Sequence, residues 1–326
     1  MRRLFNLFVS AALLAVLYTI IDFEALVSAI HQADIFWLTV SLLMVVPITF
    51  VTSWRFTLLA MDARVGLGEA NRLVLAASTL NLFLPSKLGD LGKAYVLSKK
   101  HEMKGEQALS VVVFEKALDM ASLLLWGACA AIYVGLSRPV VAAFSVLIVF
   151  LFALFSMMIL PISVFPKLVR MIAARMPPGL AGKLDRFAQS CAAIAVWFWQ
   201  QRRRAIGVVG VSIALWGAHL FQFWIFTKAV GGAVPLVDTM AFATLSILVG
   251  LFPVTLAGIG SRDIAIVYFF APYLTSGLGA FLGLLATLRY IGAAIAGVPF
   301  VGELTAAAAE HKSATLVKPA RPAAGD

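Results

Sequence analysis

The sequence predicts an all-α polytopic integral membrane protein. Hydrophobic residues make up 62% of its 326 residues and charged residues only 13%, a balance typical of membrane-embedded chains. The mean hydropathy is +0.96. Apolar runs long enough to cross a bilayer recur along the chain, and we expect about six full spans. Their approximate bounds are residues 4–21, 35–54, 109–135, 140–162, 205–227 and 277–302.

Two further hydrophobic segments, at about residues 72–96 and 240–272, are each interrupted by proline and glycine. The interruptions are Pro85 and Gly89 in the first segment, and Pro253, Gly258 and Gly260 in the second. Proline removes a helical donor and glycine loosens the backbone, so we expect each helix to stop inside the bilayer. Unwound backbone at that depth must be covered by protein or line a polar cavity. The segments therefore predict two broken, re-entrant helical hairpins, and eight full spans are the alternative.

The basic residues indicate which side of the membrane each loop faces. The loop at residues 22–34 is acidic, carries no Lys or Arg, and should lie outside. The basic N-terminus and the basic connection at about residues 163–204 should lie in the cytoplasm. With this topology the first broken segment enters from the cytoplasm and the second from outside, like the inverted pairs of transporters. An extra span around Trp197 and Trp199 stays open.

We expect a single membrane domain over residues 1–305. The tail at residues 306–326 is rich in Ala and Pro, which predicts disorder. Both termini should be cytoplasmic. The expected location is a bacterial-type cytoplasmic (inner) membrane.

The net charge of +10 would favour nucleic-acid binding in a soluble chain, but here Lys and Arg lie mostly at the ends of apolar runs. That placement indicates a role in topology and in contact with anionic lipids. The four histidines show no metal-ligand spacing, and no nucleophile elbow, P-loop or complete dinucleotide fingerprint appears. We therefore expect no metal or other cofactor, no nucleic-acid partner and no enzymatic activity.

Glu115, Lys116 and Asp119 are charged residues near the start of the third predicted span. Glu115 and Asp119 are four residues apart and share a helical face. A carboxylate inside a membrane helix costs about 2.5–3.5 kcal/mol on insertion scales, so a cation should meet them. Arg289, near the middle of the last span, is the first candidate partner. The other candidates are Arg262, Lys87 and Lys93.

Two interpretations of these charges stay open. They form an internal ion-pair network that holds the bundle, or they line a polar cavity that handles a charged headgroup or couples protons. The broken segments add half-helix N-termini, which can hold a phosphate, and Asp90 and Asp263 would orient the neighbouring cations. The candidate binding and translocation residues are Pro85, Lys87, Gly89, Asp90, Lys93, Glu115, Lys116, Asp119, Pro253, Gly258, Gly260, Arg262, Asp263 and Arg289.

Several short motifs resemble, in their order and spacing, those of one family. They are Ser53-Trp54-Arg55, Leu84-Pro85-x-x-x-Gly89-Asp90-x-x-Lys93, Glu115-Lys116-x-x-Asp119, Pro253-x-x-x-x-Gly258-Ile259-Gly260-Ser261-Arg262-Asp263 and Leu288-Arg289-Tyr290. Over roughly residues 35–300 the chain resembles the flippase-like membrane domain of lysylphosphatidylglycerol synthetases and its stand-alone relatives. The family often has Arg where this chain has Lys93 and Lys116, and Glu where it has Asp263. Lysine keeps the charge but loses bidentate phosphate geometry.

The resemblance implies lipid translocation across the cytoplasmic membrane. The cargo would be a phospholipid, a polyprenyl-phosphate-linked lipid or a hopanoid-type lipid, and we expect the chain to lack the aminoacyl-transferase domain of the full synthetases. Two other classes stay open: a non-catalytic accessory subunit of a lipid-synthesis pathway, and a membrane enzyme that modifies lipid headgroups. The expected partners are a lipid with a charged or phosphate headgroup, anionic lipids and, for the accessory role, lipid-synthesis enzymes. The sequence leaves homo-oligomerisation open.

Overall fold

The computed structural model describes residues 23–60, 63–83, 89–135, 139–251, 260–302 and residue 304. All regular structure within these residues is helical, which confirms the predicted all-α class. The helices are α1 (Phe23–His31), α2 (Ile35–Leu43), α3 (Val45–Leu59), α4 (Leu67–Phe83), α5 (Leu91–Lys100), α6 (Gly105–Val134), α7 (Pro139–Ile159), α8 (Val164–Ala173), α9 (Pro178–Gln200), α10 (Arg202–Ala229), α11 (Leu236–Gly250), α12 (Ser261–Phe270) and α13 (Ser276–Gly297), which a 3₁₀ turn (Val298–Phe300) follows.

Five helical stretches in the described residues are long and apolar enough to cross a membrane, and they coincide with five of the predicted spans. They are Ile35–Leu59, Gly105–Val134, Val141–Ile159, Arg202–Ala229 and Ser276–Phe300. The predicted span at 4–21 and the predicted tail at 306–326 lie outside the described residues. Helix α9, where an extra span was the alternative, is not among the five.

Polar side chains cap the first turns of two spans. Asp34 accepts hydrogen bonds from the backbone nitrogens of Phe36 and Trp37, at 2.9 and 3.2 Å, at the start of α2. Thr275 caps α13 in the same way by accepting from the backbone nitrogen of Leu278. Such caps satisfy N–H groups that have no partner within the helix. The backbone nitrogen of Asp34 also donates to Ala229 at 2.9 Å, so the start of α2 lies beside the end of α10.

Each predicted broken segment is a pair of helices that pack on each other. Helices α4 and α5 form the first, and Gly89 before α5 lies so close to α4 that a Cβ atom there would be 2.6 Å from the carbonyl oxygen of Ala77. Helices α11 and α12 form the second, where the rings of Phe242 and Phe270 meet edge to face with centroids 5.5 Å apart. The chain therefore folds back in both segments. The breaks themselves lie outside the described residues.

Two buried hydrophobic clusters organise the bundle, and each contains one broken segment. The first cluster includes Leu73 of α4, and the second includes Ile266 of α12. Helix α6 contributes residues from 108–118 to the first cluster and residues from 123–130 to the second. The two broken segments therefore lie toward opposite ends of α6. This arrangement agrees with the prediction that they enter the membrane from opposite sides.

The last span packs against the first broken segment without room for a larger side chain. The hydroxyl of Thr79 on α4 donates to the carbonyl oxygen of Ala294 on α13 at 2.6 Å. A Cβ atom at Gly297 would collide with the carbonyl oxygen of Leu75. Small residues at such contacts let helix backbones approach closely in membranes.

The substitution Gly297→Ala is expected to lower the free energy of unfolding by about 1–3 kcal/mol, because the added methyl group meets backbone atoms. Gly292→Ala on the same helix is the matched control. Nothing lies within 4 Å of the position that its Cβ would take, and alanine favours helix over glycine. Thermal unfolding in detergent compares the two variants. Equal melting temperatures would contradict the close contact between α13 and α4.

Candidate functional site

Six charged side chains around the first broken segment form a closed ring in which positive and negative charges alternate. We call it the charge ring. Its successive nitrogen–oxygen distances are 3.7 Å (Arg55–Glu115), 2.6 Å (Glu115–Lys93), 3.0 Å (Lys93–Asp90), 3.1 Å (Asp90–Lys116), 3.6 Å (Lys116–Asp119) and 2.7 Å (Asp119–Arg55). Each member therefore meets two opposite charges.

Three parts of the bundle supply the charge ring. Arg55 comes from α3, Asp90 and Lys93 come from the start of α5, and the other three members come from α6. Glu115 and Asp119 are one helical turn apart on α6, so both can contact the single guanidinium of Arg55. The charge ring thereby ties the first broken segment to two membrane spans.

The charge ring is buried on one side and partly open on the other. The side chains of Arg55, Glu115 and Lys93 are at most 2% exposed, whereas those of Asp119 and Lys116 are 20% and 37% exposed. Three positive and three negative charges cancel, so the ring has no net charge. Because the pairing is internal, the cost of burying these charges is offset without any ligand.

Neutral groups hold the charge ring in place. The hydroxyl of Ser212 on α10 accepts a hydrogen bond from Arg55 Nη1 at 3.0 Å, and Asn81 Nδ2 donates to Asp90 at 3.1 Å. The ring of Phe56 covers Lys93 Nζ, which lies 4.9 Å from its centroid. Lys93, a candidate binding residue from the sequence, is therefore paired with two carboxylates. The geometry matches an internal ion-pair network, which was the first of the two interpretations.

Arg289 does not belong to the charge ring. The expectation that it pairs with Glu115 and Asp119 is wrong, because other cations occupy both carboxylates. Glu115 contacts Arg55 and Lys93, and Asp119 contacts Arg55 and Lys116. The expected alternative partner Lys93 is confirmed for Glu115.

Arg289 instead lies among aromatic rings near the middle of the last span, with 4% of its surface exposed. Its guanidinium carbon is 5.0 Å from the ring centroid of Phe223 and 4.7 Å from that of Tyr290. Nη2 donates to the hydroxyl of Tyr290 at 2.7 Å, whereas Nε and Nη1 have no hydrogen-bond partner among the described residues. Buried polar groups are normally paired, so these two donors leave hydrogen-bonding capacity that no described residue uses.

Among the buried cations that the structure describes, Arg289 alone has no carboxylate partner. The other three are Arg55, Lys93 and Arg262. A buried charge without a counter-charge carries a desolvation penalty of several kcal/mol. Contacts with aromatic faces recover only about 0.5–2 kcal/mol of it. An anion beside Arg289 would offset part of this penalty.

Arg262 and Asp263 begin α12, the second half of the second broken segment. Arg262 Nη2 donates to Asp263 Oδ1 at 2.8 Å, to the hydroxyl of Thr287 at 2.6 Å and to the carbonyl oxygen of Gly283 at 3.3 Å. Asp263 Oδ2 accepts from the backbone nitrogen of Gly260 at 3.0 Å, where φ is +98°, a conformation that favours glycine. Asp263 thus orients the neighbouring cation, as predicted, and the pair anchors α12 on α13.

Arg289 lies between the contacts that α13 makes with the two broken segments. Toward the N-terminus, Thr287 contacts Arg262 of α12, and toward the C-terminus, Ala294 contacts Thr79 of α4. At a rise of 1.5 Å per residue, these two contacts are only about 10 Å apart along α13. With 3.6 residues per turn, Arg289 points about 200° away from Thr287, so its guanidinium lies at about the same level as both contacts but faces Phe223 of α10.

The family model for the lysylphosphatidylglycerol synthase TM region matches residues 3–301. The chain belongs to this family. The membership confirms the resemblance of the motifs, and the matched part is the non-catalytic transmembrane region of the family. It also supports a lipid-related role in the membrane for this chain. No curated protein matches the chain.

In this member of the family, the predicted site residues separate into two groups. The first group lies in or beside the charge ring and consists of Gly89, Asp90, Lys93, Glu115, Lys116 and Asp119. The second lies on α12 and α13, or just before α12, and consists of Gly260, Arg262, Asp263 and Arg289. Four predicted residues, Pro85, Lys87, Pro253 and Gly258, lie outside the described residues.

Sequence reasoning missed Arg55 as the partner of the carboxylates. The predicted span ended at residue 54, whereas the helix continues to Leu59 and buries Arg55 to 1% exposure. The apolar residues Phe56, Leu58 and Leu59 that follow it were the available signal. No sequence signal indicates its hydrogen-bond acceptor Ser212, which looks like any small polar residue in a span.

Proposed function

We propose that this protein is a transporter that moves a lipid with a phosphate-bearing headgroup across the membrane. The observation that carries the proposal is Arg289, a buried guanidinium near mid-span with two unused donors and no carboxylate partner among the described residues. Guanidinium and phosphate form strong, charge-assisted hydrogen bonds. A phosphate would supply the counter-charge that the site lacks.

The position of Arg289 supports movement of the lipid rather than its storage at the surface. Interrupted helices in both halves of a membrane protein mark the binding sites of transporters, and here α13 contacts both. A headgroup that pairs with Arg289 would lie at the level where α13 contacts both segments. A change in either segment would then alter access from one side, which is what alternating access requires.

The charge ring has a supporting part in this proposal. It carries no net charge and its six members are already paired, so it does not attract a phosphate on its own. We assign it to holding the first broken segment against α3 and α6. Lys116 and Asp119 are the partly exposed pair of the charge ring. A proton or the cationic part of a lipid headgroup would reach the charge ring at this pair.

Membership in a family whose matched region is non-catalytic supports a transporter over a headgroup-modifying enzyme. The accessory-subunit alternative predicts no transport by the purified protein alone. A transport assay on the purified protein therefore distinguishes a transporter from an accessory subunit.

The test uses purified protein in liposomes with a trace of phosphatidylglycerol labelled on its acyl chain. Dithionite bleaches only the probe that reaches the outer leaflet. We expect vesicles with protein to bleach inner-leaflet probe at least tenfold faster than empty vesicles. The variant Arg186→Gln, which removes an exposed ion pair with Glu106, should behave as the wild type. Equal bleaching with and without protein would reject the transporter and favour the accessory role.

A further inference from the structure

An open groove of about 520 Å³ lies where the end of α7, the end of α9 and the start of α10 meet. The residues that line it are Leu160, Pro161, Val196, Trp199, Gln200 and Arg202. Apart from the last two, its walls are apolar or aromatic. Leu160 and Val196 are 41% and 50% exposed, so the groove presents apolar surface that no other described residue covers.

Trp199 forms a fixed wall of the groove. Its indole nitrogen donates to the carbonyl oxygen of Ile159 at 2.8 Å, which ties α9 to the end of α7. Its ring also packs edge to face on Phe198, with centroids 5.7 Å apart. Tryptophan at such a position is typical of the headgroup level of a membrane.

Positive charge accumulates beside the groove. Arg202, Arg203 and Arg204 begin α10, whose first turn contains no acidic residue. Arg204 donates to the carbonyl oxygen of Leu58 and lies over the ring of Trp197. Arg202 and Arg203 are exposed, and their side chains make no ion pair or hydrogen bond with the described residues.

The stretch of sequence that contains these arginines is poor in acidic residues. Between Asp119 and Asp238 the sequence has a single acidic residue, Asp185, and Arg170 already pairs with it at 3.3 Å. The apolar lining and the neighbouring arginines favour a ligand that is both apolar and anionic.

The groove lies at the ends of two candidate membrane spans. It joins the last residues of one span, α7, to the first residues of another, α10. Helix α8 between them has exposed Lys167 and Arg170 together with exposed apolar residues such as Met171 and Ile172. A short helix with this composition is typical of the membrane interface. An excess of basic residues is typical of the cytoplasmic side, whose leaflet carries anionic lipids.

We propose that the groove binds an anionic phospholipid of the surrounding leaflet, separate from the transported cargo at Arg289. An acyl chain lies against Leu160, Val196 and Trp199, and the headgroup phosphate pairs with Arg202 and Arg203. A second copy of the chain fits less well, because it would bring another arginine triplet against this one. The bound lipid anchors the junction of α7, α9 and α10 in the cytoplasmic leaflet.

The test measures lipids that stay bound to the full-length protein in detergent by native mass spectrometry. Phosphatidylglycerol and phosphatidylcholine with identical chains are added in turn. We expect the wild type to retain phosphatidylglycerol in preference. The double variant Arg202→Gln/Arg203→Gln should weaken its retention by roughly thirtyfold, since each basic residue near a membrane surface contributes about 1 kcal/mol.

Two further variants decide whether the groove itself binds the lipid. Arg175→Gln/Lys183→Gln removes two exposed charges outside the groove and should retain phosphatidylglycerol as the wild type does. Val196→Trp fills the groove without changing its charge and should lose the lipid. Equal loss in both charge variants would overturn the proposal, as would displacement of the lipid by inorganic phosphate alone. A dimer that only the groove variants abolish, without bound lipid, would assign the groove to a second copy.

Discussion

Replacing Arg289 with methionine is expected to reduce lipid movement in proteoliposomes at least tenfold without lowering the melting temperature. Methionine retains the length and the apolar stem of the side chain but removes the charge. Loss of one partner from a buried, hydrogen-bonded charge pair costs about 2–5 kcal/mol of binding. Stability should stay the same or rise, because the variant no longer buries a charge that lacks a carboxylate among the described residues.

The matched control is Arg262→Met, which removes a buried guanidinium that does have a carboxylate. It leaves Asp263 without its cation and Thr287 without its donor, so the melting temperature should fall. Dithionite bleaching and thermal unfolding are measured on the same preparations. If Arg289→Met lowers the melting temperature as much as Arg262→Met does, Arg289 has a structural partner and its assignment to the cargo is wrong.

Glu115→Gln is expected to produce the largest loss of stability among the charged residues, about 3–5 kcal/mol. Glu115 is 1% exposed and contacts both Arg55 and Lys93, so its neutralisation leaves the charge ring with an uncompensated positive charge. Glu106→Gln is the control, because its ion pair with Arg186 is 58% exposed on both sides and contributes less than about 1 kcal/mol. Thermal unfolding in detergent measures both variants.

A double variant separates charge balance from packing in the charge ring. Lys93→Met alone leaves an excess negative charge, whereas Glu115→Gln with Lys93→Met restores a net charge of zero. We therefore expect the double variant to be less destabilised than the sum of the single variants. If the losses in free energy of unfolding of the two single variants add up strictly in the double variant, the two residues stabilise the protein through packing and not through their mutual charge pairing.

Much of the architecture could be predicted from the sequence because lipid imposes length and polarity on each helix. Five spans and both broken segments follow from apolar runs and from the prolines and glycines that interrupt them. Helix bounds were less accurate, and one of these errors had consequences. Ending the second span at residue 54 placed Arg55 outside the membrane, although its helix continues to Leu59.

The pairing of charges could not be predicted, because it depends on which helix faces meet. Glu115 and Asp119 were correctly placed on one face of α6, but the sequence does not show which cation faces them. Arg289 seemed suitable by depth alone, since it lies near mid-span. In the structure Phe223 of α10 packs against Arg289, and Arg55 of α3 approaches α6 instead.

The sequence also does not show which of the deep charges are paired within the protein and which one lacks a partner. Deep charges in one membrane protein can stabilise the fold or meet a ligand, and either role predicts the same residue types. The two roles are distinguished by the structure: the members of the charge ring are paired with one another, whereas Arg289 has two unused donors among the described residues.

The central claim is that Arg289 recognises the headgroup phosphate of a transported lipid. The most direct measurement compares the movement of labelled phosphatidylglycerol with that of a labelled neutral glycosyl diacylglycerol with the same chains, in wild-type and Arg289→Met proteoliposomes. We expect the wild type to move phosphatidylglycerol at least tenfold faster than the neutral lipid, and Arg289→Met to move both at the same low rate. Equal rates for the two lipids in the wild type, or an unchanged preference in Arg289→Met, would contradict the claim.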